Sequence, residues 1–221
     1  MLTLITGADG FLGGHITSIL LEEGYRVRAL YHSRSSRGRL RKHPNLEIVE
    51  GDLLDPPSLN AAMEGVDCII HTAANTSLYP RKQPQIWNIN FHGTRNLAEC
   101  AYSHSVRRFV YIGTANSFGA GTLDNPGDEN NPFLDGRFGF DYMNSKRSAQ
   151  EWLTRFASEK GFPVIVLNPC YMIGPGDSKP GSGMLLLRLY KRPVLPIPRG
   201  GRNFVYVRDV ARAAVNALKM G

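Results

Sequence analysis

The nine residues TGADGFLGG (6–14) set Gly7, Gly10 and Gly13 at intervals of three, directly behind the short apolar run LTLIT (2–6). A helical pattern opens at Phe11 and continues to Glu23. A strand, a glycine turn and a helix are the parts that the pyrophosphate of a dinucleotide needs. Gly7 permits the tight turn, Gly10 lets the backbone approach the phosphates, and Gly13 lets the helix pack close to the strand. The helix N-terminus then offers unpaired N–H groups and the positive end of its dipole to the anion. Three glycines without these flanks would say little; here strand and helix fall where the motif needs them. Gly14 has no such part, and inside a helix it costs about 1 kcal/mol relative to alanine.

Beyond this turn, apolar runs keep alternating with amphipathic stretches. YRVRALY (25–31), LEIVE (46–50), DCIIHTAA (67–74), RRFVYIGT (107–114) and PVIVLNP (163–169) read as strands. A short helix follows Pro56 and Pro57, a long one runs from about Gln85 to His104, and another from about Tyr142 to Lys160. NFVYVRDVARAAVNALKMG (203–221) closes the chain with a strand and a helix. This alternation predicts an α/β fold, a doubly wound parallel sheet of the Rossmann type with helices on both faces. The Gly/Pro-rich stretch GPGDSKPGSG (174–183) is either a surface loop or a passage between two parts. Its position after the sixth strand favours the second. The expected division is a dinucleotide-binding domain over residues 1–169 and a small, incomplete substrate-binding extension over 170–221, interleaved with the last core strand and helix.

The net charge of +7 raises nucleic acid as a partner, but its distribution argues against one. Arg26, Arg28, Arg34, Arg37, Arg39, Arg41 and Lys42 lie within residues 26–42, where there is no Asp or Glu; the remaining 19 basic residues equal the 19 acidic ones. Local charge of this kind suits a small anionic ligand better than a long polyanion. No apolar run approaches the roughly 20 residues that cross a bilayer, so no membrane span is expected. The opening MLTLITG reads as a strand and not as a secretory leader, which makes a cytoplasmic location the default expectation. Cys68, Cys100 and Cys170 form no CxxC pair and the six histidines no HExxH. Free thiols and no metal are expected.

An NAD site of this kind usually carries an acid about 20 residues past the glycines, accepting from the ribose 2′-hydroxyl. Here that distance reaches His32, Ser33 and Arg34, and no acid occurs between Glu23 and Glu47. A carboxylate would repel a 2′-phosphate. Arg34, with Arg37 near it, can bond one through forked guanidinium donors, and Ser33 adds a neutral donor. NADP(H) is therefore favoured, with NAD(H) as the alternative. A solvated basic loop is the plain reading, and Arg39, Arg41 and Lys42 belong to it.

Tyr142 and Lys146 stand four apart in DYMNSKRSAQEW (141–152). On a helix that spacing puts them on one face, a turn apart. A phenol titrates near about 10; a neighbouring ammonium favours its phenolate, so the pair can pass a proton to or from a hydroxyl or carbonyl. The spacing alone is common by chance, and its place behind the fifth strand of a dinucleotide-binding sheet is what gives it weight.

Together, TGADGFLG (6–13), GDLLD (51–55), HTAA (71–74), NINFHGTRNL (88–97), FVYIGTANSFG (109–119), YMNSK (142–146) and NPCYMIGPGD (168–177) resemble the extended short-chain dehydrogenase/reductases. Within that family the likeness is to dihydroflavonol-reductase-like proteins and related sugar epimerases, and it covers essentially the whole chain in order. The resemblance implies that Gly7, Gly10, Phe11, Leu12 and Gly13 line the pyrophosphate. It places Asp52 on the adenine amino group with Leu53 beside it, and Thr72, Ala73 and Ala74 along the ribose. Asn90 would help place the active-site lysine or its water. Tyr142 becomes the acid/base, and Lys146 holds the nicotinamide ribose while lowering the phenol's pKa. Asn168, Pro169, Met172 and Ile173 would flank the nicotinamide. Where the family commonly has serines this chain has Gly113 and Thr114, so Thr114 takes the serine's role, with Ser117 the weaker candidate. Members typically continue further, with residues that complete the substrate pocket; the extension expected here is therefore partial.

Three functions follow in order of preference. The first is an oxidoreductase moving hydride between NADP(H) and a carbonyl or secondary alcohol of a small molecule. The second is a nucleotide-sugar epimerase or dehydratase that recycles its coenzyme, and the third a non-catalytic dinucleotide-binding regulator. By resemblance a homodimer is expected, through the helices carrying Asn96 and Tyr142. Phe133, Phe138, Phe140, Tyr171 and Met184 are candidates for lining the substrate pocket.

Overall fold

The computed structural model of the chain describes residues 1–32, 42–133, 135–178, 181, 183–191 and 200–221. Strands β1 (Leu2–Thr6), β2 (Arg26–Tyr31), β3 (Leu46–Glu50), β4 (Cys68–His71), β5 (Arg108–Ile112) and β6 (Val164–Leu167) form one sheet in the order β3-β2-β1-β4-β5-β6. Every pairing in it is parallel. The chain winds outward from β1 to β3, then returns to start again at β4, so the winding reverses between β1 and β4. A crevice opens at the carboxyl ends of the strands at such a point.

The strands are apolar on both faces because both faces are covered. In β1, Leu4 faces one core and Ile5 the other; in β4, Ile69 and Ile70 divide in the same way, as do Phe109 and Val110 in β5. One core is closed by α1 (Phe11–Glu22) and α7 (Val207–Asn216), through Leu12, Ile16, Ile19 and Leu20 against Val207, Val210, Ala211 and Ala214. The other is closed by α2 (Pro56–Met63), α4 (Thr94–Ser103) and α5 (Asp141–Lys160). A helix near the chain's C-terminal end thus packs on the first helix of the fold.

Three elements differ from the sequence expectation. The single helix expected over 85–104 is a rod in three pieces: α3 (Pro84–Trp87), a π turn (Asn88–Gly93) and α4. The wider turn inserts one residue and swings the side chains within it; the Asn90 side chain is buried as a result. A small second sheet pairs β7 (Tyr171–Ile173) with β8 (Phe204–Tyr206), also parallel. Helix α6 (Gly183–Lys191) follows the Gly/Pro-rich stretch. Among the described residues no helix is long and apolar enough to cross a membrane.

Candidate active site

At the end of β1 the chain makes the glycine turn. Gly7 sits at φ +71°, and its O accepts from Gly10 N at 2.9 Å. At Gly13 a Cβ would stand 2.1 Å from Gly7 O, so the first turn of α1 lies directly on the turn before it. Gly10 precedes α1 with no side chain capping it, which leaves the first-turn N–H groups facing outward. Across the crevice Thr72 Oγ1 donates to Thr6 O at 2.7 Å, and Ala73 N donates to Thr6 Oγ1 at 3.3 Å. The two strand ends at the point of reversal are thus tied together, with open backbone above them.

This turn forms one end of a cleft of about 3020 Å³. A small-molecule pocket is roughly 300–1,000 Å³, so there is room for a dinucleotide and a second molecule. Gly7, Gly10, Phe11, Leu12 and Gly13 line that end, and Thr72, Ala73 and Ala74 line the wall beside it. His32, Asp52 and Leu53 line the far corner, off the ends of β2 and β3. There His32 Nε2 is 3.4 Å from Asp52 Oδ2, while Asp52 Oδ1 accepts from Leu54 N at 2.9 Å. Ser33, Arg34 and Arg37 lie outside the described residues. Of the clustered basic residues, Arg28 belongs to the scaffold: it bonds Glu47 at 2.8 Å and the carbonyl oxygens of Ala62 and Glu64 at 2.9 and 2.6 Å.

The other end of the cleft holds Thr114, Tyr142, Lys146, Asn168, Pro169 and Met172. Thr114 leaves the end of β5, and its N–H donates to Asn168 Oδ1 at 3.0 Å. A Cβ on Gly113 would be 2.1 Å from that same Oδ1. Position 113 is therefore glycine because the Asn168 carboxamide occupies the space beside it. Ser117 is fully buried behind the wall, and its carbonyl accepts from Arg147 at 2.9 Å. Ile173 and Asn90 do not line the cleft, and of the aromatic and methionine candidates for the substrate pocket only Tyr171 does.

Lys146 is buried on the second turn of α5, where Nζ donates to Ile112 O at 2.6 Å and lies 4.2 Å from the centre of the Tyr111 ring. Burial brings its pKa down to about 7. Tyr142 is held above the ordinary phenol value by burial, and a hydrogen bond with the Thr114 hydroxyl partly offsets this. The sequence expectation that Lys146 lowers the Tyr142 pKa has no counterpart among the causes acting on the phenol in this structure. In this structure the lysine is engaged with β5 and is itself made less basic, and the group that favours the Tyr142 phenolate is Thr114.

Asn90 works from behind. Its Oδ1 accepts from Asn75 N at 2.8 Å; its Nδ2 donates to Asn75 O at 3.0 Å and to Ser145 Oγ at 3.1 Å. Ser145 Oγ in turn donates to Tyr142 O at 3.0 Å. It therefore holds the turn of α5 that carries Tyr142, and not Lys146 itself. A further buried group escaped the sequence reading. His71 bridges Thr6 Oγ1 at 2.6 Å and Thr94 Oγ1 at 2.9 Å. Thr94 Oγ1 spends its proton on Asn90 O at 2.7 Å, so His71 must donate from Nε2 and accept at Nδ1. Burial, with the nearby Lys146 adding to it, drives its pKa down to about 3. Neither Asn75 nor Ser145 could be singled out from sequence, since each has its role only because the π turn aims Asn90 between them.

These features have close relatives among known proteins. The chain matches the NAD dependent epimerase/dehydratase family over residues 3–221. It is 34% identical over 219 residues to the Synechocystis protein named "Putative dihydroflavonol 4-reductase", covering 98% of this chain and 63% of that one. The crystal structure of gox2253 superposes with a TM-score of 0.87 at 33% identity, over 99% of this chain and 66% of that one. Thermus thermophilus UDP-glucose 4-epimerase, solved in complex with NAD, gives a TM-score of 0.84 at 25% identity, over all of this chain and 75% of that one. The chain thus spans about two thirds of the length of these relatives. With the glycine turn, the strand order and nearly every residue matched, the chain belongs to the NAD-dependent epimerase/dehydratase family.

Proposed function

We propose that this chain carries the coenzyme site and the acid/base pair of an oxidoreductase that uses NADP(H), in preference to NAD(H), on a carbonyl or secondary alcohol of a small molecule. One observation carries the reading: Tyr142 and Thr114 line the same cleft as the glycine turn, with Lys146 one helical turn behind the tyrosine. The glycine end fits a dinucleotide, because a side chain at Gly7 or Gly13 would strike the backbone of the turn or of Ala73. When bound, the nicotinamide would supply or accept the hydride. Tyr142 would give or take the proton at the substrate oxygen, and Thr114 would orient that oxygen through its hydroxyl. Asp52 and His32 would border the adenosine, and Arg34 and Arg37 would meet a 2′-phosphate. Identity to a protein named as a reductase supports the substrate class. A homodimer through α4 and α5, the helices that carry Asn96 and Tyr142, is part of the reading by family resemblance.

Nucleotide-sugar epimerisation with recycled coenzyme is the second reading. It is favoured by Arg202, whose guanidinium stands 4.4 Å from the centre of the Tyr171 ring with both residues lining the cleft, in reach of a diphosphate. The test is titration with NADP⁺ and NAD⁺, then a screen of ketones, secondary alcohols and nucleotide sugars at the nicotinamide absorbance. Tighter NADP⁺ binding, weakened at least tenfold by Arg34→Ala, and turnover lost in Tyr142→Phe with coenzyme affinity kept, are expected. Preferential NAD⁺ binding insensitive to Arg34 would overturn the coenzyme choice, and unchanged turnover in Tyr142→Phe would overturn the acid/base role.

A further inference from the structure

The residue before the proposed acid/base has no place in the chemistry, yet among the described residues it is the one buried acid. Asp141 opens α5 and is only 4% exposed. An acid in the first turn of a helix ordinarily serves that helix's own N–H groups and dipole. This one is turned away. Its Oδ2 accepts from Gln83 N at 2.6 Å, Oδ1 faces Lys82 Nζ at 3.3 Å, and the Trp87 side chain donates a further hydrogen bond. Its own N–H donates back to Arg81 O at 2.9 Å. Burial opposes the charge, but the Gln83, Trp87 and Lys82 donors outweigh it and hold the carboxyl below its usual range.

Those donors belong to the start of the α3–π–α4 rod. Gln83 is the residue before α3 and has no side-chain cap of its own. The Asp141 carboxylate therefore caps a helix in another part of the chain. The same rod holds Tyr142 from its other side, because the π-turn residue Asn90 bonds Ser145, and Ser145 bonds Tyr142 O. Tyr142 is thus flanked by two attachments, one residue before it and three residues after it, and both are anchored on one rod.

We propose that Asp141 is a positioning residue, which with the Asn90–Ser145 attachment clamps the Tyr142 turn to the α3–α4 rod and keeps the phenol against Thr114. The inference rests on the reading of Tyr142 as the acid/base, but its test needs no substrate. The loop whose residues Asn75 to Leu78 line the cleft runs directly into the segment that Asp141 grips.

The probe is 3-fluorotyrosine, incorporated throughout the chain and read by fluorine NMR, with the Tyr142 line assigned by its loss in Tyr142→Phe. Four proteins are compared: the parent, Lys82→Ala, Asp141→Asn and Asp141→Ala. Lys82 is exposed and supplies one outer bond, so its removal is expected to leave the Tyr142 line in place. Asp141→Asn keeps an acceptor for Gln83 and should shift or broaden the line partly. Asp141→Ala should move it well toward the shift of the unfolded chain while the lines of buried Tyr31 and Tyr111 stay put. A Tyr142 line unchanged in both Asp141 variants would overturn the proposal, whatever their melting temperatures. If Asp141→Ala does not fold, Asp141→Asn decides alone. Failure of the coenzyme titration above would sink the functional reading and leave this result standing, so the two failures are distinguishable.

Discussion

Two neighbouring glycines in α1 should respond to the same substitution with opposite signs. At Gly13 an added Cβ would lie 2.1 Å from Gly7 O, 2.8 Å from Gly7 C and 2.9 Å from Thr72 Oγ1. Two of these atoms are backbone and cannot step aside, so alanine must push α1 away from the turn. Overpacking of this kind costs about 1–3 kcal/mol, and the displaced turn should also lose the dinucleotide. At Gly14 the only neighbour outside the helix's own backbone is Ala8 O at 3.7 Å, an ordinary contact. Gly14 is helical, does not line the cleft and has no positive φ. Alanine there recovers the helix propensity that glycine forfeits, about 1 kcal/mol, and removes freedom from the unfolded chain. Urea denaturation with unchanged slope would read both effects. In a chain of this size about 1 kcal/mol corresponds to roughly 2–4 °C in melting temperature. Gly14→Ala should therefore melt higher by about that amount and keep its NADP⁺ affinity, while Gly13→Ala melts lower and loses it. A stable, coenzyme-binding Gly13→Ala, or a Gly14→Ala that falls by 1 kcal/mol or more, would refute the packing argument.

Gly113→Ala should detach the Asn168 carboxamide from Thr114 N, and turnover should fall far more than coenzyme affinity; a turnover number within twofold of the parent would contradict the account of that glycine. His71 is neutral in the fold, with a pKa near 3 against about 6.5 when unfolded. Because the unfolded chain binds the proton first, stability is lost as pH falls through this window, by about 2–3 kcal/mol between roughly pH 6.5 and 4.5. Urea midpoints of the parent and His71→Gln compared across that range should converge as pH falls; parallel curves would show that the buried imidazole does not set the acid limit.

Much of the fold was legible because its signals are local. Apolar runs of strand length, the glycine turn and the breaks at Pro56 and Pro57 lie next to the elements they specify. The features that escaped are set by residues far apart in sequence. One additional residue in the turn 88–93 leaves the apolar period almost unchanged, so a helix over 85–104 was the natural reading, yet that residue is what aims Asn90 at Asn75 and Ser145. Gly113 looked like a lost serine until Asn168 was seen filling its side-chain space. Asp141 could not be singled out from sequence, since nothing near it announces that Gln83 and Trp87 are its partners. β7 and α6 are short and lie where glycine and proline dilute the pattern. The glycine turn at one end of the cleft was therefore readable residue by residue, whereas the scaffold behind Tyr142 was not.

The state of Lys146 also bears on when the site becomes competent. A lysine whose pKa is near 7 is charged in only about half the molecules at neutral pH, and a neutral amine does nothing for a phenolate. Tyr142 is meanwhile held above the ordinary phenol value. Both shifts have one cause, the removal of water around the start of α5, and both disfavour the charged forms that proton transfer needs. Negative charge brought close to Nζ would favour the ammonium, while the same charge close to the phenol would oppose its phenolate. Lys146 cannot obtain that charge from the protein at close range: its Nζ is bonded to a neutral carbonyl and faces a neutral ring. The charge of Lys146 would therefore depend on what occupies the cleft beside it.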